Sequence, residues 1–265
     1  MQLLLSLQDI SYAYHNLKGE TPALSHISFE VFQGEFLAIV GPSGCGKSTL
    51  LSIIAGLLTP EKGDLFYRGQ YITDSGPGER KQIGYMLQRD HLFEWRSVYR
   101  NVILGLELNH MLTQENIDYV TQLLTDYGLY AFKDKKPSEL SGGMRQRAAL
   151  IRTMATHPDL LLLDEPFSAL DSQTRLNVSA DIAQIIRNTN KTAILITHDL
   201  SEAITLADRV LVLSQRPASI KCEMPIQFSV DRHDPMEIRR TAEYQLYFNQ
   251  LWEVLTNEQS LVHPV

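Results

Sequence analysis

The stretch Gly41-Pro42-Ser43-Gly44-Cys45-Gly46-Lys47-Ser48-Thr49 constrains this chain more than any other. It satisfies G-x-x-x-x-G-K-[ST] at every required position. Its flanks agree: the unbroken apolar run Phe36-Leu37-Ala38-Ile39-Val40 precedes it, and an apolar, helix-like run follows. The glycines let backbone N–H groups curl around phosphate oxygens without Cβ clashes. The start of a helix adds partial positive charge there. Lys47 supplies a cation for β- and γ-phosphates, and Ser48 offers a hydroxyl to Mg²⁺. Such a loop requires a strand, a turn and a helix in succession, and it predicts an α/β fold that takes a nucleoside triphosphate. Cys45 reads as a small loop residue that contributes its backbone N–H. A thiol modified at that point would block the nucleotide, so bound nucleotide is expected to slow its alkylation.

The rest of the chain supplies a sheet for this unit. Ile27, Phe29 and Val31 alternate with Ser28 and Glu30, the pattern of a strand with one wet face. Leu160-Leu161-Leu162-Leu163 and Thr192-Ala193-Ile194-Leu195-Ile196 repeat the character of Phe36–Val40, strands buried on both faces as in a parallel sheet. Ligands of open α/β sheets bind beyond the carboxyl ends of the strands, so three strand ends point at one site. Between the first and second of these runs the rhythm changes. Ile117, Val120, Leu124 and Tyr127 recur at helical spacing, with Thr113 a candidate N-cap and Gly128 a candidate stop. Residues from Gln88 to about His157 read as a mostly helical subdomain inserted into the α/β core. The tail after about Leu213 ends in helix-like spacing (Tyr244, Tyr247, Leu251, Trp252, Leu255).

Bulk properties remove several alternatives. A net charge of −7 over 265 residues argues against a nucleic-acid partner, which favours a basic surface. The first residues, Met1 to Asp9, carry a short apolar run without a basic leader or a cleavage site and read as a strand. The longest apolar stretches, such as Leu50 to Leu58, are too short to span a bilayer, so any membrane role is expected to be peripheral. Two cysteines, Cys45 and Cys222, give no disulfide framework and favour a reducing, cytoplasmic compartment.

Leu140-Ser141-Gly142-Gly143-Met144-Arg145-Gln146-Arg147 is a second candidate anion cradle, a serine and two glycines opening a helix-like run. One nucleotide does not need two such sites in one chain. Two chains packed head-to-tail would need both. Here the sequence resembles the ABC ATPases, whose signature motif this matches, and the resemblance runs over nearly the whole chain in the family's order. It implies an α/β fold: a P-loop NTPase (RecA-like) core with an antiparallel β subdomain and an inserted helical subdomain. Residues 1–88 and 157–265 would form the nucleotide-binding core, and 89–156 the helical part.

The same resemblance distributes roles. Tyr14 falls where the family carries the aromatic that stacks on adenine, with Tyr12, two residues away, an alternative. Gln88 sits at the glutamine that touches Mg²⁺ and the attacking water. Leu160 to Pro166 looks like the Walker B strand. Asp164 would hold Mg²⁺, directly or through water, and Glu165 would orient or deprotonate the attacking water. Ser168-Ala169-Leu170-Asp171 resembles the D-loop at the dimer contact, and His198 the switch histidine. Other histidines, such as His15, His110 and His233, read as surface residues. Ser141, Gly142, Gly143 and Met144 would cap the ATP of the partner copy. Met144 departs from the commonest signature, which has glutamine there. Phe93 and Trp95 suit a groove that grips a coupling helix of a permease.

The resulting expectation is an ATPase with ATP and Mg²⁺ as cofactors, acting as two copies on integral-membrane permease subunits at the cytoplasmic face of the membrane, and indirectly with a solute-binding protein. The alternatives are a soluble ABC ATPase of DNA repair or translation, or an exporter subunit. The repair types carry long coiled coils or zinc modules, and the translation types two cassettes. The short chain and the Met-Arg-Gln-Arg form of the signature are most similar to importer subunits of the nitrate, sulfonate and taurine group.

Overall fold

The computed structural model describes residues 2–17, 19–73, 82–230 and 235–257. Two sheets and a set of helices share the chain. Strands β1 (Leu3–Asn16) and β2 (Gly19–Phe32) pair antiparallel, and β4 (Lys62–Tyr67) and β5 (Gln70–Tyr71) extend them into a sheet ordered β2-β1-β4-β5. The alternation around Ile27 to Val31 becomes burial: Ile27, Phe29 and Val31 are inside, Ser28 and Glu30 outside. The second sheet holds β3 (Phe36–Val40), β6 (Ile83–Met86), β7 (Leu160–Asp164), β8 (Thr192–Ile196), β9 (Arg209–Leu213) and β10 (Ile220–Pro225). Its order is β10-β9-β3-β8-β7-β6, parallel except for the antiparallel edge strand β10.

The three apolar runs are the three central strands, and their side chains divide by parity. Leu37, Ile39, Leu160, Leu162, Ile194 and Ile196 enter one core; Phe36, Ala38, Val40, Leu161, Leu163, Ala193 and Leu195 enter the other. A strand with a core on each face has no position for a polar side chain, hence the unbroken runs. The first core also takes helix α1 (Lys47–Ile54) and the antiparallel sheet, so α1 lies between the two sheets. Truncating a fully buried member such as Leu162 to Ala would cost about 2–5 kcal/mol.

The second core receives most of the remaining helices. Between β6 and β7 run α2 (Val98–Val102), α3 (Leu104–Leu108), α4 (Gln114–Asp126) and α5 (Gly142–Met154). Helix α4 begins and ends where the spacing predicts: Thr113 Oγ1 accepts the Asn116 N–H, and Gly128 takes φ 69°. Helix begins only at Val98, so the stretch from Gln88 to Ser97, counted with the helical region from sequence, is loop. Then follow α6 (Ser172–Asn188), α7 (Leu200–Leu206), α8 (Pro235–Ile238) and α9 (Ala242–Thr256). The helix-like tail is α9, tied to α7 by the Tyr244 hydroxyl donating to Ser201 Oγ at 2.9 Å.

Strands β6, β9 and β10 were not expected from sequence. Gly84 is the reason for β6: a Cβ there would stand 2.7 Å from Thr153 Cγ2 of α5, so the strand carries a glycine where a branched apolar residue would mark it. Among the described residues no helix is long and apolar enough to cross a membrane.

Candidate active site at the carboxyl ends of the parallel strands

The loop from Gly41 leaves the end of β3 and enters α1 with Gly46 as N-cap, at φ 127° and without any side-chain cap. Only glycine fits there. A Cβ would meet the Ala23 carbonyl oxygen and Leu24 Cδ2 at 2.9 Å each, on a backbone that L side chains rarely adopt. The first N–H groups of α1 are therefore left for an external acceptor. Ser43, Gly44 and Ser48 face solvent, Pro42 is half-buried, and Gly41 and Thr49 are buried. Lys47 is buried at 5% exposure; its Nζ donates to the carbonyls of Gly41 (2.8 Å) and Pro42 (2.9 Å). No carboxylate appears among those partners, so the ammonium's charge stays available to an anion, with a third proton to give.

Cys45 is a packed residue of this loop. Its N–H donates to the Pro42 carbonyl at 3.3 Å, closing the loop upon itself, and its side chain is 2% exposed. Burial pushes the thiol pKa up, against the lowering influence of Lys47.

Asp164 ends β7 and Ser48 lies in the first turn of α1; Ser48 Oγ donates to Asp164 Oδ1 at 3.1 Å. Tyr85 of β6 donates its hydroxyl to Oδ2 of the same carboxylate at 3.4 Å. Burial lifts the Asp164 carboxyl above its usual range, with the Glu165 charge adding and the Ser48 and Tyr85 hydrogen bonds and Lys47 opposing. Burial also pushes the Tyr85 hydroxyl up to about 12, so it stays a donor. A serine hydroxyl beside a carboxylate whose neutral form is favoured by burial is a donor set that a hard dication would complete.

Glu165 adopts φ 44°, a left-handed backbone that costs a non-glycine residue on the order of 1 kcal/mol. The turn is held on both sides: its N–H donates to the Ile196 carbonyl at 2.9 Å, and its carbonyl accepts the Ser168 hydroxyl at 3.0 Å. The carboxylate thereby meets two exposed side chains. Gln88 Nε2 donates to Glu165 Oε2 at 3.3 Å, and His198 Nδ1 stands 3.3 Å from the same oxygen. Three segments far apart in sequence converge on one carboxylate next to the Ser48–Asp164 pair.

Tyr14 reaches the phosphate loop, its hydroxyl 3.0 Å from Thr49 Oγ1, and its ring is 40% exposed. The Arg216 guanidinium lies 6.0 Å from that ring. Tyr12 touches Tyr14 edge-on at 5.1 Å but packs against the core under α1. A register shift between Tyr12 and Ala13 breaks the shared face that simple alternation gives them.

Ser141 caps α5, its Oγ accepting the Met144 N–H at 3.3 Å. Both glycines that follow have a packing reason of their own: a Cβ on Gly142 would meet Leu170 at 3.0 Å, and one on Gly143 would meet Val178 at 2.9 Å. Met144 packs against the helical core, which accounts for an apolar residue there. Asp171 is the N-cap of α6 and accepts the Thr174 N–H at 3.0 Å. Hydrogen bonds from the Thr174 side chain first, and from its N–H second, hold the Asp171 carboxyl below the usual range. Phe93 and Trp95 stack at 4.7 Å, with Trp95 72% exposed. Lys136 pins this loop from below, donating to the Trp95 carbonyl at 2.7 Å.

Several participants escaped the sequence. Tyr85 supports Asp164 from an unrecognised strand. Asp90 receives Arg145 of the signature helix at 2.9 Å, while Arg152 of the same helix donates to the Asp90 and His91 carbonyls at 2.7 Å each. Arginines at positions 145 and 152 share one helix face, a signal that could have flagged them. His15 and His110 are exposed as expected, and so is His157, which stacks on Tyr119 at 4.1 Å; His233 lies outside the described residues.

Comparison with known proteins follows the same lines. Residues 24–168 match the family model described as ABC transporter. The chain is 42% identical over 254 residues to the uncharacterized ABC transporter ATP-binding protein YtlC of Bacillus subtilis, covering 96% of each. It is 38% identical over 260 residues to the nitrate import ATP-binding protein NrtD of Synechocystis sp., covering 97% of this chain and 96% of that one. Against the taurine import ATP-binding protein TauB of Roseobacter denitrificans it is 38% identical over 258 residues, covering 94% of each. Among solved structures it resembles a dimeric bacterial ABC transporter cassette, 28% identical with a TM-score of 0.74. A dimeric post-hydrolysis state of an ATP-binding cassette bound to ADP and Pi matches at 28% identity with a TM-score of 0.73. Both alignments cover 85% of this chain and 100% of the other.

Proposed function

We propose, from the premise that this chain belongs to the ABC transporter family as an ATP-binding, ATP-hydrolysing subunit, that it powers uptake of a small anion or organic solute of the nitrate, sulfonate or taurine kind. The near full-length likeness to nitrate and taurine import subunits supports the cargo class. The geometry that carries the ATPase reading is the convergence of Gln88 and His198 on Glu165 Oε2, one residue from the carboxylate that Ser48 touches.

On this reading the nucleotide-binding core is 1–88 with 157–265, and 89–156 is the helical part. The loop Gly41 to Thr49 cradles the phosphates through its N–H groups and Lys47, and Tyr14 stacks on the base. Ser48, Asp164 and Gln88 would hold Mg²⁺, which supplies positive charge to the phosphate oxygens. Glu165 takes a proton from, or orients, the attacking water. His198 and Gln88 keep that carboxylate aimed. Ser141, Gly142, Gly143 and Met144 cap the nucleotide of a second copy, with Ser168 and Asp171 at the contact between copies. Closure excludes water and completes each site. Phe93 and Trp95 grip a permease, which places the chain peripherally on the cytoplasmic face of the membrane, served by a solute-binding protein.

The test is uptake. A strain lacking the chain should lose ATP-dependent uptake of one solute of this group, restored by the wild type and not by Glu165→Gln. Full uptake of nitrate, sulfonates and taurine in the deletion strain would overturn the cargo class.

A further inference from the structure

Behind His198 lies a charged network to which none of the roles above assigns a purpose. Its centre is Arg175, on the first turn of α6. The side chain folds back so that Nη2 donates to the Leu170 carbonyl at 3.0 Å, within the loop Ser168 to Asp171. Its other nitrogens face acids around the switch histidine: Nη1 is 3.8 Å from Asp199 Oδ2, and Nε is 3.9 Å from Glu202 Oε1. Asp199 caps α7, accepting the N–H groups of Ser201 and Glu202. Glu202, 5% exposed, accepts the Thr197 hydroxyl at 2.6 Å, and Thr197 Oγ1 accepts the Asp199 N–H at 3.0 Å. Both chain neighbours of His198, Thr197 and Asp199, are thus set by groups that share one guanidinium.

We propose that Arg175 is a positioning residue that links the loop Ser168–Asp171 to His198 within one chain. A second copy seated on that loop is thereby registered at the histidine. The inference rests on the two-copy ATPase reading given above. Two physical features support it. Arg175 is the cation facing two carboxylates, Asp199 and Glu202, and one of these is buried. Without Arg175 they would repel in a poorly solvated space, and the segment carrying His198 would move. The contact is also half made. At 3.8 and 3.9 Å the ion pairs are longer than hydrogen bonds, and the buried Nε takes no hydrogen bond at all. A displacement of about 1 Å at Leu170 would convert one of them into a charge-assisted hydrogen bond, which is stronger and directional. The network therefore has a slack and a tight arrangement, and the end that a partner would push is the Leu170 carbonyl.

The experiment compares Arg175→Met, which keeps the aliphatic stem, with Arg175→Lys, which keeps the charge but loses the planar fork. For Arg175→Met, kcat for ATP hydrolysis should fall about tenfold while KM and the Kd for ATP stay within twofold. Arg175→Lys should recover part of that loss. Combined with His198→Ala, Arg175→Met should cost nothing further, because it acts through the histidine. Losses that multiply in the double variant, or an unchanged kcat in Arg175→Met, would overturn the link. Should Arg175→Met not fold, Glu202→Gln serves: a kcat loss absent from the His198→Ala background supports the link, and no loss refutes it. Arg175→Met in the Glu165→Gln background should still form an ATP-dependent dimer by light scattering. If Glu165→Gln alone stays monomeric, the two-copy reading fails instead, irrespective of Arg175.

Discussion

The Nδ1 atom of His198 and the Oε2 atom of Glu165 stand 3.3 Å apart, although 33 positions of chain separate them. Strands β7 and β8 pair directly, Asp164 opposite Ile196, so the residues just past each strand end must meet. The left-handed backbone at Glu165 then turns its carboxylate toward the histidine and Gln88.

Removing the acid while keeping its shape tests that convergence. Glu165→Gln should lower kcat by about 100-fold or more, the scale of lost general-base help, with ATP affinity retained. ATP should then hold two copies together, read by size-exclusion chromatography with light scattering. Monomers under saturating ATP would contradict the scheme.

Tyr14 and Tyr12 separate by their surroundings. Tyr14→Ala should weaken ATP binding about fivefold, the loss of one aromatic stack worth roughly 1 kcal/mol. Tyr12→Ala should leave the Kd unchanged and reduce folding stability by about 1 kcal/mol, since its ring packs on the core. Fluorescence titration and thermal melts on the two variants distinguish the roles.

Cys45 should be a poor nucleophile. Its thiol is buried and its pKa is raised, so alkylation waits for the loop to open. In a Cys222→Ser background, iodoacetamide at pH 8 should label native protein at least about tenfold more slowly than unfolded protein. Bound ATP should slow it again; fast labelling of the native chain would place the thiol outside the packed loop.

Burial raises the Glu202 pKa from 4.5 to about 7. The folded state therefore keeps this proton where the unfolded state has lost it. Its contribution is complete below about pH 4.5 and is lost as pH climbs to about 7, leaving an ionised, buried carboxylate above. Glu202→Gln should then raise stability by on the order of 2 kcal/mol at pH 8 and by little at pH 5. Melting curves at the two pH values check this. The same variant should hydrolyse ATP more slowly if Arg175 works through Glu202, so stability and activity would move in opposite directions.

Much was legible in the sequence because short-range physics wrote it. The loop around Gly46 and Lys47 needs glycine where no Cβ fits and a lysine at the helix start, and those needs appear as adjacent letters. The buried strands are unbroken apolar runs because each has a core on both faces. Thr113 and Gly128 bound α4 because caps act within one turn. What the letters could not carry was how particular side chains of different elements pack against one another. Gly84 hid β6, since its cause is the close passage of α5. Tyr12 and Tyr14 look equivalent by alternation until a register shift in β1 parts them. Arg175, Asp199 and Glu202 are ordinary charges until α6 packs on α7 and makes them one network. The sequence determined the nucleotide cradle and the strands that present it, both local in cause. The tertiary structure alone decided that Gln88 and His198 share one oxygen of Glu165 and which arginine stands behind them, because pair contacts depend on sheet order and helix packing.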